Sequence, residues 1–157
     1  MNIRDFAVGD RTESLRRRVE KAIKMIKSID CQKGMGVSVS GGKDSQVCLD
    51  LAIRALGKEK IYPVFFDCGT QLQSTYDHLS RLEDLYGIVI CRIETEPQLI
   101  DALKAGNYWG YSGGDSKKLF DFGRIMVDIP AQKHMQSFGL QYSMIGLRAQ
   151  ESAGRKK

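Results

Sequence analysis

The sequence predicts an α/β fold in which helices cover both faces of a mainly parallel sheet. Short apolar runs typical of strands alternate along the chain with longer segments of helical periodicity. This alternation is typical of right-handed βαβ units, which place consecutive strands parallel to each other. With 157 residues, of which 42% are hydrophobic, the chain has the size of one domain, and we expect residues 1–157 to form a single unit.

The first predicted helix begins near Asp10 and carries much of the positive charge of the chain. Asp10 and Glu13 have the spacing of an N-terminal cap with its reciprocal acid. Apolar residues then recur at helical spacing to about residue 29, at Leu15, Val19, Ala22, Ile23 and Ile26. We expect this stripe to pack on the sheet. The basic face of residues 1–30, in a chain of net charge +5, either is solvated or attracts an anion such as nucleic acid.

The remaining elements alternate between strands and helices. Strands are predicted at residues 35–40, 60–67, 88–94 and 140–147. Helices are predicted from residue 44 to Gly57, over 72–86 before Gly87, and over 97–106 with Pro97 near the start. A long polar loop covers residues 106–124, and helical segments over 122–139 are interrupted at Pro130.

Ligands of parallel sheets gather at the carboxyl ends of the strands, and four polar segments are predicted to lie there. They are SGGKDS (40–45), DCGTQ (67–71), ETEP (94–97) and RAQES (148–152). These segments are therefore the places where a binding site is expected.

The loop at 106–124 offers weaker signals. SGGDSKK (112–118) has a composition similar to SGGKDS, but no apolar strand precedes it, which predicts a flexible loop and not a second site. Trp109, with Tyr108 and Tyr111, either stacks on a base or substrate or anchors the loop to the core, and the anchor is preferred.

The SGGKDS segment joins a strand to the beginning of a helix, where backbone N–H groups and the helix dipole favour an anion. Gly41 and Gly42 leave room for an oxyanion to approach the backbone. Ser40 and Ser45 carry hydroxyl donors, and Lys43 carries a mobile positive charge. A tight turn would explain the two glycines but not these polar neighbours. The GxxxxGK[ST] and GxGxxG patterns do not occur here, so the segment predicts a phosphate site of another type.

Three motifs together resemble the phosphoadenosine-phosphosulfate (PAPS) reductase family of the PP-loop ATP pyrophosphatase superfamily. SGGKDS resembles the PP-loop, VFFDCG (64–69) resembles the DTG motif with Cys68 in place of threonine, and GLRAQESAGR (146–155) is similar to G-[IL]-R-x-x-E-S-x-x-R. The resemblance covers about residues 35–155. It implies a Rossmann-like α/β/α fold that binds ATP or a related adenosine nucleotide. In many members it also implies pyrophosphate release while a substrate is adenylated.

The resemblance carries a set of nucleotide-binding residues over to this chain. They are Ser40, Gly41, Gly42, Lys43, Asp44, Ser45, Asp67, Gly69, Arg148, Glu151 and Arg155. The catalytic residues it implies are Lys43, Asp44 and Arg148. Arginines suit bidentate contacts to oxyanions, and Glu151 can hold one of them in place. Without the family pattern, residues 148–155 would be interpreted as a solvated tail.

The cysteines depart from the pattern of the sulfonucleotide reductases. Cys31, Cys48, Cys68 and Cys91 form no CxxC pair and no C-terminal ECG-type nucleophile motif. We therefore expect no iron–sulfur cluster, zinc ribbon or disulfide framework. The chain also ends early relative to the family, as either a minimal or a truncated version.

Three functions are compatible with these observations. The first is a PP-loop enzyme that cleaves ATP at the α-phosphate, with Mg²⁺ and the loop holding the leaving pyrophosphate. The second is a PAPS or APS reductase whose nucleophilic cysteine comes from a further segment or a partner. The third is a non-catalytic subunit that binds a nucleotide, or nucleic acid through the basic helix. No apolar run of eighteen residues and no signal-like N-terminus occur, which predicts a cytoplasmic protein without membrane contact. The sequence leaves the oligomeric state open, with a homo-oligomer and a complex with a partner subunit both compatible with it.

A few single residues are predicted to be structural. Cys48 and Cys91 are expected in the core, and His78 and His134 at the surface of helices. Cys68, at a strand end near the nucleotide, is more often a small buried residue than a reactive thiolate.

Overall fold

Four parallel strands form one sheet in the computed structural model, which describes residues 11–95, 100–101 and 127–147. The helices are α1 (Arg11–Lys27), α2 (Lys43–Leu56), α3 (Gln73–Tyr86) and α4 (Ile129–Ser137), with a 3₁₀ turn at Lys58–Lys60. The strands are β1 (Met35–Ser38), β2 (Ile61–Asp67), β3 (Cys91–Glu94) and β4 (Ser143–Met144). Their order across the sheet is β3-β2-β1-β4. The strand order therefore reverses between β1 and β4, which is where parallel sheets open a crevice for ligands.

Successive side chains of each strand point to opposite faces of the sheet, and a layer of helices covers each face. On one face a core cluster joins β1 and β2 to α2 and α3; it includes Met35, Val37, Leu49, Phe65 and Leu79. Gly36 points to the other face, where an added Cβ atom would lie 2.8 Å from the Sδ atom of Met135 in α4. The predicted α/β/α architecture, with helices on both faces of a parallel sheet, is confirmed.

The predicted ends of α2 and α3 are confirmed. The N–H of Gly57 donates to the carbonyl oxygen of Ile53 at 2.8 Å and closes the last turn of α2. Gly87 follows α3 with a φ of 59°, in the left-handed region that glycine adopts without strain.

The strands are shorter than the apolar runs that predicted them. The prediction extended β1 to residue 40, began β3 at 88 and gave β4 the range 140–147. β4 pairs with β1 only at Ser143 and Met144, opposite Gly36 and Val37. Ahead of β3, the N–H of Ile90 donates to the Oε1 atom of Glu83 at 2.8 Å and so takes no part in the ladder. An apolar run indicates that its residues are buried, and buried residues extend beyond those that pair with a neighbouring strand.

Pro130 lies just after the point where π-helical backbone at residues 127–128 gives way to α4. It lies in the first turn of α4 and is buried. A proline is tolerated there because the first N–H groups of a helix have no intrahelical partner. The predicted helical segments over 122–139 therefore change from π-helix to α-helix just before Pro130, while residues 122–126 lie outside the described residues.

The apolar stripe of α1 is covered only in its C-terminal half. α1 packs against α2, and Ile26 belongs to the core cluster. Leu15, by contrast, is 58% exposed. The expectation that the whole stripe would be packed is wrong for Leu15. The predicted cap at Asp10 lies outside the described residues, as do the loop at 106–124 and all but residues 100–101 of the helix predicted at 97–106.

His134 is buried, which contradicts its predicted surface position. It is 5% exposed, its ring centroid lies 5.0 Å from that of Phe138, and Phe138 lies 5.0 Å from Tyr62 of β2. The Nε2 atom has no hydrogen-bond partner among the described residues. Cys48 and Cys91 are half-buried, so they border the core and do not fill it. The helical pattern of 129–137 did not distinguish the face of α4 that meets the sheet.

Stability should depend on pH through His134. Burial lowers the pKa of His134 below its ordinary value, because the charged imidazolium loses its hydration. The unfolded chain then binds a proton more readily than the folded one, so stability present above a pH of about 6.5 is lost as the pH falls. We expect the urea midpoint to drop between pH 7.5 and pH 5.5, and His134→Gln to flatten this dependence while the matched variant His78→Gln keeps it. Equal pH dependence in the wild type and His134→Gln would contradict this assignment.

Candidate nucleotide site

The segment after β1 is a backbone loop closed by the side chain of Ser45. The Ser45 hydroxyl donates to the carbonyl oxygen of Gly42 at 2.8 Å and accepts from the N–H of Ser40 at 3.1 Å. The Ser40 hydroxyl lies 3.1 Å from the same Ser45 oxygen and accepts from the N–H of Gly42 at 3.4 Å. Ser45 is only 5% exposed. Its hydroxyl, predicted to contact phosphate, is engaged in holding the shape of the loop.

The loop opens onto the N-terminus of α2. Gly42 is the N-cap residue, with φ −82° and ψ 157°, and no side chain among the described residues caps the helix there. Lys43 is exposed at the first helical position, and Asp44 follows half-buried in the same turn. The first N–H groups of a helix have no partner within it, and together with the dipole they favour an anion. The strand, loop and helix N-terminus expected from SGGKDS are therefore present.

The end of β2 is fixed by the carboxylate of Asp67. Its Oδ1 atom accepts from the N–H of Gly69 at 2.9 Å, and its Oδ2 atom accepts from the hydroxyl of Tyr76 at 2.7 Å. Its backbone oxygen accepts from the N–H of the buried Thr95 at 2.9 Å. Gly69 has a φ of 77°, which the tight turn requires. The hydrogen bond to Asp67 raises the pKa of Tyr76 above its ordinary value.

The first turn of α3 contacts both the SGGKDS loop and the turn that follows β2. The sequence alone did not predict this role. A Cβ atom on Gly41 would lie 3.0 Å from the Cγ2 atom of Thr75. The next residue, Tyr76, holds Asp67 as described. Gly41 itself has a φ of 78°. Nothing in the local pattern of α3 predicts these contacts, because they depend on how α3 lies across the sheet edge.

The chain leaving β4 passes directly over the first turn of α2. A Cβ atom on Gly146 would lie 2.8 Å from the backbone nitrogen of Ser45 and 2.9 Å from the carbonyl carbon of Asp44. Such distances leave room for a hydrogen atom only. The glycine that opens the GLRAQES segment therefore meets the SGGKDS segment at the β1–β4 crevice, as the rule for strand ends predicted.

Cys68 lies at the same edge, in the turn after β2. It is half-buried, and its Sγ atom lies 3.2 Å from the Oγ1 atom of Thr70 and 3.9 Å from the Nε2 atom of Gln71. Its position directly after the carboxyl end of β2 agrees with the prediction.

Several predicted site residues fall outside the described residues. They are Arg148, Glu151 and Arg155, together with the aromatic residues Tyr108, Trp109 and Tyr111. The described part of the chain contains no group of three or more histidine, cysteine or acidic side chains arranged for a metal ion. Within the same residues, no helix has the length and apolar character needed to cross a bilayer.

Comparison with known proteins identifies the family. The phosphoadenosine phosphosulfate reductase domain matches residues 34–157. An NH(3)-dependent NAD(+) synthetase of Thermoplasma acidophilum is 28% identical over 81 residues, which is 52% of this chain and 34% of that protein. A glutamine-hydrolyzing GMP synthase of a Shewanella species (strain MR-7) is 31% identical over 140 residues, which is 87% of this chain and 25% of that protein.

A solved structure shares the fold. The NH3-dependent NAD synthetase of Campylobacter jejuni, in complex with a nitrate ion, superposes with a TM-score of 0.58 at 20% identity, covering 83% of this chain and 54% of that one. The chain thus spans about a third or less of the two curated relatives and about half of this structure. Since the family pattern covers more than half of the chain and begins just before β1, the protein belongs to the phosphoadenosine phosphosulfate reductase domain family of the PP-loop superfamily.

Proposed function

We propose that the chain binds ATP on the SGGKDS loop and takes part in cleaving it at the α-phosphate, with release of pyrophosphate. An acceptor atom attacks the α-phosphorus, forming the bond to AMP, while the bond to the bridging oxygen of the leaving pyrophosphate breaks. The observation that carries this proposal is the uncapped first turn of α2, which opens at the β1–β4 crevice beneath a glycine-lined loop. Membership of the PP-loop superfamily supports it.

The phosphates would be held mainly by backbone groups. Ser45 stabilises the loop through its side chain, so the proposed donors are the N–H groups at the start of α2 and the ammonium of the exposed Lys43. The turn at Asp67 and Gly69, held by Tyr76, would border the nucleoside end. Arg148, with Glu151 and Arg155, would neutralise charge that develops on the transferred phosphate.

Magnesium would be shared between protein and nucleotide. Mg²⁺ is commonly bound by one or two carboxylates together with phosphate oxygens and water, so a site of this kind needs no cluster of three protein ligands. Asp44, in the first turn of α2, is the carboxylate proposed to contact it. When bound, the ion would supply charge stabilisation to the leaving pyrophosphate.

The names of the relatives support nucleotide activation over sulfonucleotide reduction. They are a synthetase that forms NAD(+) with ammonia and a synthase that forms GMP. Because this chain spans only part of each, the acceptor is left unassigned. The test is calorimetric titration of the chain with ATP and with PAPS in the presence of Mg²⁺, followed by measurement of pyrophosphate release with candidate acceptors. Binding of PAPS without binding of ATP would favour the reductase.

We expect no thioredoxin-dependent release of sulfite from PAPS by this 157-residue chain. Reduction requires a thiolate that attacks the sulfur in line, and Cys68 is the only cysteine at the binding edge. Cys31 is buried beside the start of β1, Cys48 lies within α2 and Cys91 begins β3. The assay contains the chain, PAPS, thioredoxin and reductant. Sulfite that appears with the wild type and disappears with Cys68→Ser would favour PAPS reduction over ATP cleavage as the function of the chain.

A further inference from the structure

The N-terminal part of α1 is exposed on every side. All six residues from 13 to 18 are exposed. From residue 19 onward the helix is partly covered, and Ile26 is buried in the core cluster. Most helices derive their stability from packing an apolar face against the rest of the protein. Within the part of the chain that the structure describes, residues 13–18, which we call the basic tip, contribute no buried side chain to such packing.

The helix also holds a charge excess equal to that of the whole chain. α1 contains seven basic and two acidic residues, an excess of five, and the net charge of the chain is +5. Three of the basic residues, Arg16, Arg17 and Arg18, are consecutive and exposed. Only Arg17 has an ion pair among the described residues, at 2.6 Å to Glu13, and both side chains are about three quarters exposed. Such a pair contributes little to stability, so the helix gains little from this arrangement of charge.

The basic tip lies at the end of α1 that is farther from the start of β1. Local hydrogen bonds shorten the connection from α1 to β1: the N–H of Cys31 donates to Ile29, and that of Gly34 donates to Cys31. The C-terminus of α1 therefore lies near the start of β1. α1 also packs against α2.

We propose that the basic tip docks on the phosphate backbone of a nucleic acid. Three consecutive residues span about 200° of a helix surface, so the arginines present charge in several directions and not one flat face. A protein interface would need an apolar centre, and Leu15 is the one exposed large hydrophobic residue of the tip. A bilayer surface would need an apolar face made of several exposed side chains, whereas the tip exposes only Leu15. Nucleic-acid interfaces consist largely of arginine and lysine contacts to phosphate, which is what the tip offers.

The test is fluorescence anisotropy with a labelled DNA duplex and a labelled single-stranded RNA, without any nucleotide, over a series of salt concentrations. It does not depend on ATP binding, so it can fail or succeed independently of the proposed function. The variant is Arg16→Glu/Arg17→Glu/Arg18→Glu. Glutamate has a helix propensity close to that of arginine, so α1 is expected to remain folded, which circular dichroism would check. The matched control, Lys60→Glu/Arg81→Glu/Lys133→Glu, makes the same change in net charge at exposed positions elsewhere.

We expect the wild type and the control to bind at least one of the two nucleic acids, and the α1 variant to lose at least tenfold in affinity. For duplex DNA, the logarithm of the binding constant falls linearly with the logarithm of the salt concentration. The slope of this line should become shallower by nearly one for each phosphate contact removed, up to about 3. An equal loss of nucleic-acid affinity in the α1 variant and the control would show that only the net charge of the protein matters, which would overturn the proposal. Absence of salt-sensitive binding by the wild type, or equally tight binding of polyglutamate, would overturn it as well.

Discussion

Lys43→Ala is expected to weaken ATP binding at least tenfold, or about 1.4 kcal/mol, and Asp44→Ala should do the same in the presence of Mg²⁺. Lys43 is exposed at the first position of α2, where its ammonium adds to the field of the helix N-terminus. Asp44 is the carboxylate proposed to contact the metal. Neither side chain belongs to the core cluster, so both variants should keep the fold. Calorimetric titration with ATP and Mg²⁺ measures the affinities.

The matched control for Lys43 is Lys60→Ala, which removes one exposed charge from the 3₁₀ turn before β2. Lys60 lies at the opposite edge of the sheet, so its loss should leave the affinity unchanged. Unaltered affinities in both Lys43→Ala and Asp44→Ala would remove the loop from the site.

Gly146→Ala is expected to lower the free energy of unfolding by about 1–3 kcal/mol and to weaken nucleotide binding. The added methyl carbon would lie 2.8 Å from the Ser45 nitrogen and 2.9 Å from the Asp44 carbonyl carbon. Both are backbone atoms, which a rotamer change cannot move away. Either the segment after β4 or the first turn of α2 must shift, and that turn is the proposed phosphate cradle. Urea unfolding and calorimetry together measure the two effects.

Ile145→Ala is the control for Gly146→Ala, since it changes the preceding residue, whose side chain is 52% exposed. It should cost less stability and leave nucleotide binding unchanged. If Gly146→Ala had the stability and affinity of the wild type, the close approach of the two segments would be wrong.

The position of the site could be predicted from the sequence because local signals coincide there. Gly41 and Gly42 follow an apolar run and precede a helical pattern, and together these specify a strand, a loop and a helix N-terminus. The ends of α2 and α3 were predictable for a similar reason, since Gly57 and Gly87 act within one turn of the helix they terminate.

Contacts between distant segments could not be predicted in this way. Thr75 and Tyr76 reach the two loops through the packing of α3 on the sheet, which no local pattern encodes. The burial of His134 likewise depends on which face of α4 meets β2. The roles of Arg148, Glu151 and Arg155 still rest on the family resemblance, and they stay predictions.

The most direct measurement is an experimental structure of the chain with Mg²⁺ and a non-hydrolysable ATP analogue. We predict that the phosphates lie at the N-terminus of α2, within hydrogen-bond distance of the backbone N–H groups at the start of that helix, with the Lys43 ammonium beside them. The segment that begins at Gly146 should border the same phosphates. A nucleotide whose phosphates lie elsewhere, with the SGGKDS loop unoccupied, would contradict the account.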